Sequence, residues 1–366
     1  MSQQISRGMP LDRVDTPSVL VDLDQLEANI RRMAEFAAGQ EIALRPHIKT
    51  HKCPAVARLQ QEAGAVGFTC AKVSEAEVFV RAGFKDLLIA NQITGEVKID
   101  RLTDLAGSAR LIVAADNPDN LVKLDQACRE KGVRLGVLVE VDLGMKRCGV
   151  LPGPAVLELA AQAEALDHLD FRGLQAYEGH LVLVDDPEER AERVREAFRP
   201  LAEVIRDLEA AGLSPGMVSG GGTGTYDVSG VETPLTELQV GSYVFMDATY
   251  GPLRPEFPPA LTVTSTVVSR PVPERLVTDA GLKALTSEFG WPELLDGIEA
   301  EMNYLSEEHG VLTLADPERV SLEAGDRVRF LPSHVCTTVN LHEKLIVHRD
   351  GRVVAAWPIA ARGCVQ

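Results

Sequence analysis

From residue 42 onward the chain alternates short apolar runs with stretches whose apolar positions recur at helical spacing. "IALRPHIK" precedes a helical pattern over 54–64, "VGFTCAK" precedes "VSEAEVFVRAG", "DLLIAN" precedes 94–107, and "RLIVAAD" precedes "NPDNLVKLDQACREKG". The beat continues with "RLGVLVEVDLGM" before "PGPAVLELAAQAEALDHL", and with "FRGLQAYEG" before a long charged helix at 187–212; "GMVSGG" and "LTELQVGSYVF" complete it. That makes eight strand candidates. Runs apolar throughout are buried on both faces, as parallel strands with helical crossovers are, and eight such units suit a closed barrel better than an open sheet.

The pattern changes after the proline-rich "YGPLRPEFPP" at 250–259, which reads as a linker. Beyond it the runs alternate or are β-branched: "LTVTSTVVSRPV", "RLVTDAG", "GVLTLAD", "DRVRFLPSHVCTTV" and "KLIVHRDGRVVAAWPIA", the last folded into a hairpin at "RDGR". One run, "PSVLVDLDQL" at 17–26, precedes the eight and either joins the β domain or seals the barrel. The expected fold is therefore α/β: a (β/α)8 TIM barrel over 27–252, followed by a smaller mainly-β domain built from 253–366 together with 1–26.

Composition narrows the function. The chain has 366 residues, 45% hydrophobic and 25% charged, and no apolar run of membrane-spanning length. Its start carries no basic stretch followed by an apolar one, so the expected location is the cytoplasm. A net charge of -17 repels nucleic acid and anionic lipid and points instead to a small-molecule partner. Six cysteines without a CxxC pair give neither a disulfide framework nor a zinc knot.

Barrel chemistry gathers where strands end and the following loops begin. Lys49, between His47 and His51 in "RPHIKTHK", lies at such an end. A lysine there can be desolvated, which frees its neutral amine to condense with an aldehyde; a solvated strand-end lysine is the plainer alternative. "VSGGGTGTYDVSG" closes the seventh barrel strand with Gly220, Gly221, Gly222 and Gly224, so successive backbone N–H groups can converge on an anion. The loop lacks the endings of nucleotide-binding motifs. The eighth strand ends in Gly241, Ser242 and Tyr243, and phosphate binding beyond strands seven and eight recurs in barrels. A lysine that condenses with aldehydes, joined to a phosphate cradle, describes a site for pyridoxal 5'-phosphate.

The motifs "RPHIKTHK", "VEVDLGMKRCGV", "GLQAYEGHL", "SGGGTGT", "ELQVGSYVFMD", "DAGLK", "EEHG" and "PSHVCTTVNLHE" make the chain resemble the D-threonine aldolase and D-serine dehydratase group of fold type III pyridoxal-phosphate enzymes. These stretches run from residue 45 to 343, and the opening "TPSVLVDLDQLEANI" fits as well. The resemblance implies Lys49 as the lysine bonded to the cofactor, Arg147 near its phenolic oxygen, Tyr177 along its ring, and Gly221, Gly222, Thr223 and Ser242 on its phosphate. Read from residue type alone, Arg147 is equally a rim arginine and Tyr177 a core aromatic.

His334 and Cys336, two apart on an expected strand, would face one ion. The resemblance implies a divalent metal there, manganese, magnesium or zinc. The group's aldolases carry His-x-Asp and its dehydratases His-x-Cys, so Cys336 departs from the aldolase pattern, and a thiolate favours zinc. Two outcomes follow for a D-3-hydroxy amino acid: cleavage to glycine and an aldehyde, or β-elimination to a keto acid and ammonia. "GLQAYEGHL" and "GGGTGT" look closer to bacterial D-threonine aldolases; Cys336 votes for the dehydratase. An alanine racemase, with no need of the metal pair, is a third reading, and a one-domain pyridoxal-phosphate carrier a fourth. His51 and His180 suit proton shuttling by type and position, or a structural role. The family also implies a homodimer.

Overall fold

In the computed structural model, which describes residues 3–366, the leading apolar run forms strand β1 (Ser18–Asp22) and passes directly into helix α1 (Leu23–Gly39). The eight predicted barrel runs then form β2 (Ala43–Leu44), β3 (Phe68–Cys70), β4 (Asp86–Gln92), β5 (Arg110–Ala115), β6 (Leu135–Val141), β7 (Leu169–Ala176), β8 (Met217–Gly220) and β9 (Glu237–Leu238). All their pairings are parallel, in the order β2-β9-β8-β7-β6-β5-β4-β3. The two ends of that order meet at a single parallel bridge between His47 and Thr69, which closes the ring.

The crossover helices are α2 (Pro54–Glu62), α3 (Val73–Arg81), α4 (Glu96–Ala106), α5 (Pro118–Lys131), α6 (Pro154–Ala165), α7 (Pro187–Ala210) and the short α8 (Tyr226–Ser229). Local chemistry starts them. Asn117 accepts from the Asn120 N–H ahead of α5 and Asp186 from the Glu189 N–H ahead of α7, each with proline at the first helical position, where its missing N–H is not needed. Inside the ring, Leu88, Ile112 and Leu138 from three neighbouring strands form one fully buried cluster, which is why these strands read as unbroken apolar runs.

The closing seam, where β2 pairs over only two residues, is held by buried charge. Arg45, 1% exposed, donates Nε to Glu237 at 2.9 Å and Nη1 to Asp86 at 2.6 Å. Glu237 also accepts from Ser219 Oγ at 2.7 Å, and Gln239 Nε2 donates to Ser219 Oγ and to Gln175 Oε1. Asp86 receives Arg110 as well. Six strands are thereby tied, on or just past their ends, through one polar cluster whose atoms are paired, the condition for burying such groups.

The second unit is mainly β. Strand β10 (Leu261–Val272) is long and bent by register shifts around Ser269; its first half pairs with β1 and β15 (Arg327–Leu331), its far half with β11 (Arg275–Thr278). Short β12 (Glu293–Leu294) extends from β15, and β13 (Ala300–Leu305) and β14 (Gly310–Leu314) continue from β11. Helix α9 (Val335–Leu341) precedes the hairpin of β16 (Lys344–Arg349) and β17 (Arg352–Pro358), whose turn puts Asp350 and Gly351 at positive φ as that tight turn requires. β1 belongs here: it runs antiparallel to β10 and parallel to β16, and Leu20 packs with Val14, Ile346 and Val353. The stretch 250–259 is an ordered turn segment rather than a plain linker, because Arg254 and Phe257 are buried. Contacts divide the chain into one unit holding the stretch up to Arg31, Thr50–Val56 and Ser242–Gly363, and another holding Arg32–Lys49, Ala57–Gly241 and Cys364–Gln366. Among the described residues no helix is long and apolar enough to cross a membrane.

Candidate active site

In the barrel unit Lys49 occupies a single helical turn, Ile48–Thr50, just past the end of β2. The approach to that turn is fixed from both sides: His47 N–H donates to Val240 O at 3.0 Å, and Thr69 Oγ donates to Arg45 O at 2.9 Å. The lysine side chain is half-buried and enters no ion pair among the described residues.

The glycine loop leaves β8 against the exit of β7. A Cβ on Gly222 would stand 2.8 Å from Val182 Cγ1 and 3.4 Å from Tyr177 Cε2, and one on Gly224 would stand 1.9 Å from Val182 O, so this path is open to glycine alone. Thr223 between them is buried, and Gly221 turns at a φ of 75°. Tyr177 therefore borders the loop, and the Arg147 guanidinium lies 5.9 Å from its ring centroid, a cation–π approach. The loop's backbone is buttressed by Glu178, a fully buried carboxylate that accepts the hydroxyls of Thr225 and Ser229. Gly241 ends the barrel unit; Ser242 and Tyr243, both buried, open the next turn in the other unit. A loop that admits no side chain at Gly222 or Gly224, beside an arginine over a tyrosine, is a fitting cradle for a flat ring carrying a phosphate.

His334 and Cys336 do not lie on a strand as the alternating pattern implied. β15 stops at Leu331, Pro332 follows, and the segment turns into α9 with His334 as its extended N-terminal residue. The two side chains still meet. His334 Nδ1 donates to Asp247 Oδ2 at 3.0 Å, and the ring also hydrogen-bonds Cys336. Asp247 is itself fully buried and held by the N–H groups of Val335 and Tyr250, at 3.0 and 2.9 Å. Burial works against a charged imidazole, yet the charge of Cys336 and the Asp247 hydrogen bond outweigh it and lift His334 to about 10. Thr50 Oγ stands 3.3 Å from Cys336 Sγ, and the Phe289 ring meets His334 edge-on at 4.8 Å.

An imidazole oriented by a buried carboxylate beside a thiol is a pair that can give a soft divalent metal two ligands, with Asp247 in the orienting position; among the described residues no group of three or more such side chains gathers to hold an ion. Sequence reasoning passed over Asp247, Glu178 and Thr50. Asp247 closes the motif "ELQVGSYVFMD", and the uncommon positive φ of its neighbour Met246, 52°, is visible only in the fold. His51 is fully buried in the second unit, its Nδ1 accepting the Cys53 N–H at 3.1 Å. His180 lies at an exposed position of the barrel unit, and burial together with the Arg193 charge lowers its pKa.

The alanine racemase N-terminal domain model matches residues 21–249, and the serine dehydratase domain model matches 260–348. The chain is 43% identical to a D-threonine aldolase of Arthrobacter sp over 99% of both chains. It superposes on the crystal structure of D-threonine aldolase from Filomicrobium marinum with a TM-score of 0.97, at 40% identity over 100% of both chains. It superposes on D-threo-3-hydroxyaspartate dehydratase from Delftia sp. HT23 with a TM-score of 0.82, at 27% identity over 95% and 98%. That dehydratase is also known as a histidine-to-alanine variant and as a cysteine-to-alanine variant in a metal-free form, the two replaced positions lying two apart.

Proposed function

The chain belongs to the family defined by the alanine racemase N-terminal domain, here joined to a serine dehydratase domain, and from that premise we propose that it is a D-threonine aldolase acting on D-3-hydroxy amino acids. The observation that carries the reading is likeness over the full length of two D-threonine aldolases, in a chain that has a glycine cradle. Pyridoxal 5'-phosphate, when bound, supplies an electron sink for the bond broken at Cα. Lys49 is the residue that would hold it, through its aldehyde. Gly221, Gly222 and Thr223, with Gly241, Ser242 and Tyr243, are assigned to its phosphate; Arg147 and Tyr177 are assigned to its ring. His334 and Cys336 would hold a divalent metal, which would supply Lewis-acid polarisation of the β-hydroxyl, and Asp247 keeps the His334 ring turned for that task. His51 is the candidate for taking the β-hydroxyl proton, whose loss lets the Cα–Cβ bond break to give glycine and an aldehyde. In this reading residues 27–252 form the cofactor barrel, 1–26 with 253–366 form the metal-bearing β domain, and the enzyme is a cytoplasmic homodimer.

A specific observation favours a second reading. Cys336 stands at the spacing of the dehydratase variants, and in a dehydratase Lys49 would remove the α-proton as hydroxide leaves, giving an enamine that water hydrolyses to a keto acid and ammonia. The deciding experiment incubates the zinc- or manganese-reconstituted protein with D-threonine and assays one mixture for both product pairs. Glycine with acetaldehyde is expected; 2-oxobutanoate with ammonia would replace the aldolase reading by the dehydratase.

A further inference from the structure

Glu178 has no part in the roles assigned above, yet it is fully buried and forms no ion pair among the described residues. Burying a carboxylate without a cation is expensive, and a protein that retains one has a use for it. Here one oxygen carries all the contacts: Oε1 accepts from Thr225 Oγ and from Ser229 Oγ at 2.5 Å, while Oε2 is buried with no hydrogen-bond partner among the described residues. Both hydroxyls belong to the segment that follows the glycine cradle. Thr225 reaches back into it, since its Oγ accepts the Gly222 N–H at 3.3 Å and its own N–H donates to Gly222 O at 3.2 Å. Ser229 N–H in turn donates to Thr225 O at 2.8 Å. A chain of hydrogen bonds thus runs from the buried carboxylate through Thr225 to the backbone of Gly222. A glycine-rich stretch is the segment with most conformational freedom to lose, and this chain removes it.

We propose that Glu178 is the positioning residue of the glycine cradle: acting through Thr225, which engages the Gly222 N–H and carbonyl, it fixes the loop in the one conformation that receives the cofactor's phosphate. The inference rests on the pyridoxal-phosphate reading. Its test uses the full chain stripped of cofactor and compares binding of pyridoxal 5'-phosphate with binding of pyridoxal, which has the same ring and aldehyde but no phosphate. Glu178→Ala, and independently the isosteric Thr225→Val, should weaken pyridoxal 5'-phosphate by roughly ten- to a hundredfold, the range of one lost charged hydrogen bond, and leave pyridoxal within about twofold. Glu178→Gln keeps an Oε1 able to accept both hydroxyls, so it should bind pyridoxal 5'-phosphate nearly as the unmodified protein does. The double variant E178A/T225V should bind no more weakly than either single variant, since both cut one chain. A parallel loss of both ligands would mean a merely structural role and overturn the proposal, as would an E178A protein with unchanged preference for the phosphate. If the unmodified chain itself binds pyridoxal as tightly as pyridoxal 5'-phosphate, the cradle falls first and the proposal with it.

Discussion

Removing Glu237 tests whether buried charge holds the barrel seam. In Glu237→Ala, Arg45 keeps Asp86 but loses its Nε partner at 2.9 Å, and Ser219 Oγ loses its acceptor at 2.7 Å. Arg45 and Glu237 side chains are 2% and 3% exposed, so water cannot replace the missing carboxylate without opening the ring. Stripping one partner from a buried ion pair costs about 3–5 kcal/mol, and the surviving Asp86 contact puts this variant near the lower end. At roughly 2–4 °C per kcal/mol for a unit of this size, the thermal midpoint should fall by about 6–12 °C. The assay is calorimetry or circular dichroism on the purified chain, with Arg45→Met/Glu237→Leu alongside. Replacing both charges by apolar groups should recover most of the loss, because no charge is then left buried alone. A drop under about 2 °C for the single variant, or a double variant less stable than the single, would refute the argument that this cluster is a paired buried charge.

Lys49→Ala should keep its circular dichroism and lose both the visible absorbance and the borohydride-fixed attachment of added pyridoxal 5'-phosphate; an unchanged spectrum would move the covalent role to another lysine. Asp247→Ala, by freeing the His334 ring, should weaken zinc by about ten- to a hundredfold in competition with a chromophoric chelator, and equal affinity would remove Asp247 from the metal's support. His342, whose Nε2 lies 2.8 Å from Ala284 O, has a pKa lowered from 6.5 by burial, against which that hydrogen bond works. The native ring stays neutral where the unfolded chain takes up a proton, so its stabilisation is complete above 6.5 and is lost as pH falls through that value toward the native one. His348 shifts the same way, while His334, raised to about 10, works in the opposite sense above 6.5, so the test is a difference: between about pH 6.5 and about pH 5 the thermal midpoint should fall less in His342→Gln than in the unmodified chain, and equal falls would contradict a cost of protonating the His342 ring.

Much of the fold lies in local pattern. The eight barrel strands, the starts of α5 at Asn117-Pro118 and α7 at Asp186-Pro187, and the Asp350–Gly351 hairpin are each written within a few neighbouring residues. Periodicity and capping act over one turn or one strand, so a single chain read once carries them. Lys49, the glycines and the His334–Cys336 pair stand out as candidates in the same way, because reactive residue types at fixed spacing limit the chemistry. The sheet that takes β1 could not be read the same way, since its parallel partner β16 lies more than three hundred residues further on and both possible homes bury the same apolar run. Nor does alternation reveal that His334 begins a helix, when the turn after Pro332 and the Asp247 carboxylate hold it there. Asp247, Glu178 and the Arg45 cluster are polar residues whose meaning is their partner, and each partner arrives from a distant strand or loop. Burial converts those partnerships from optional to obligatory, and burial belongs to the tertiary structure alone.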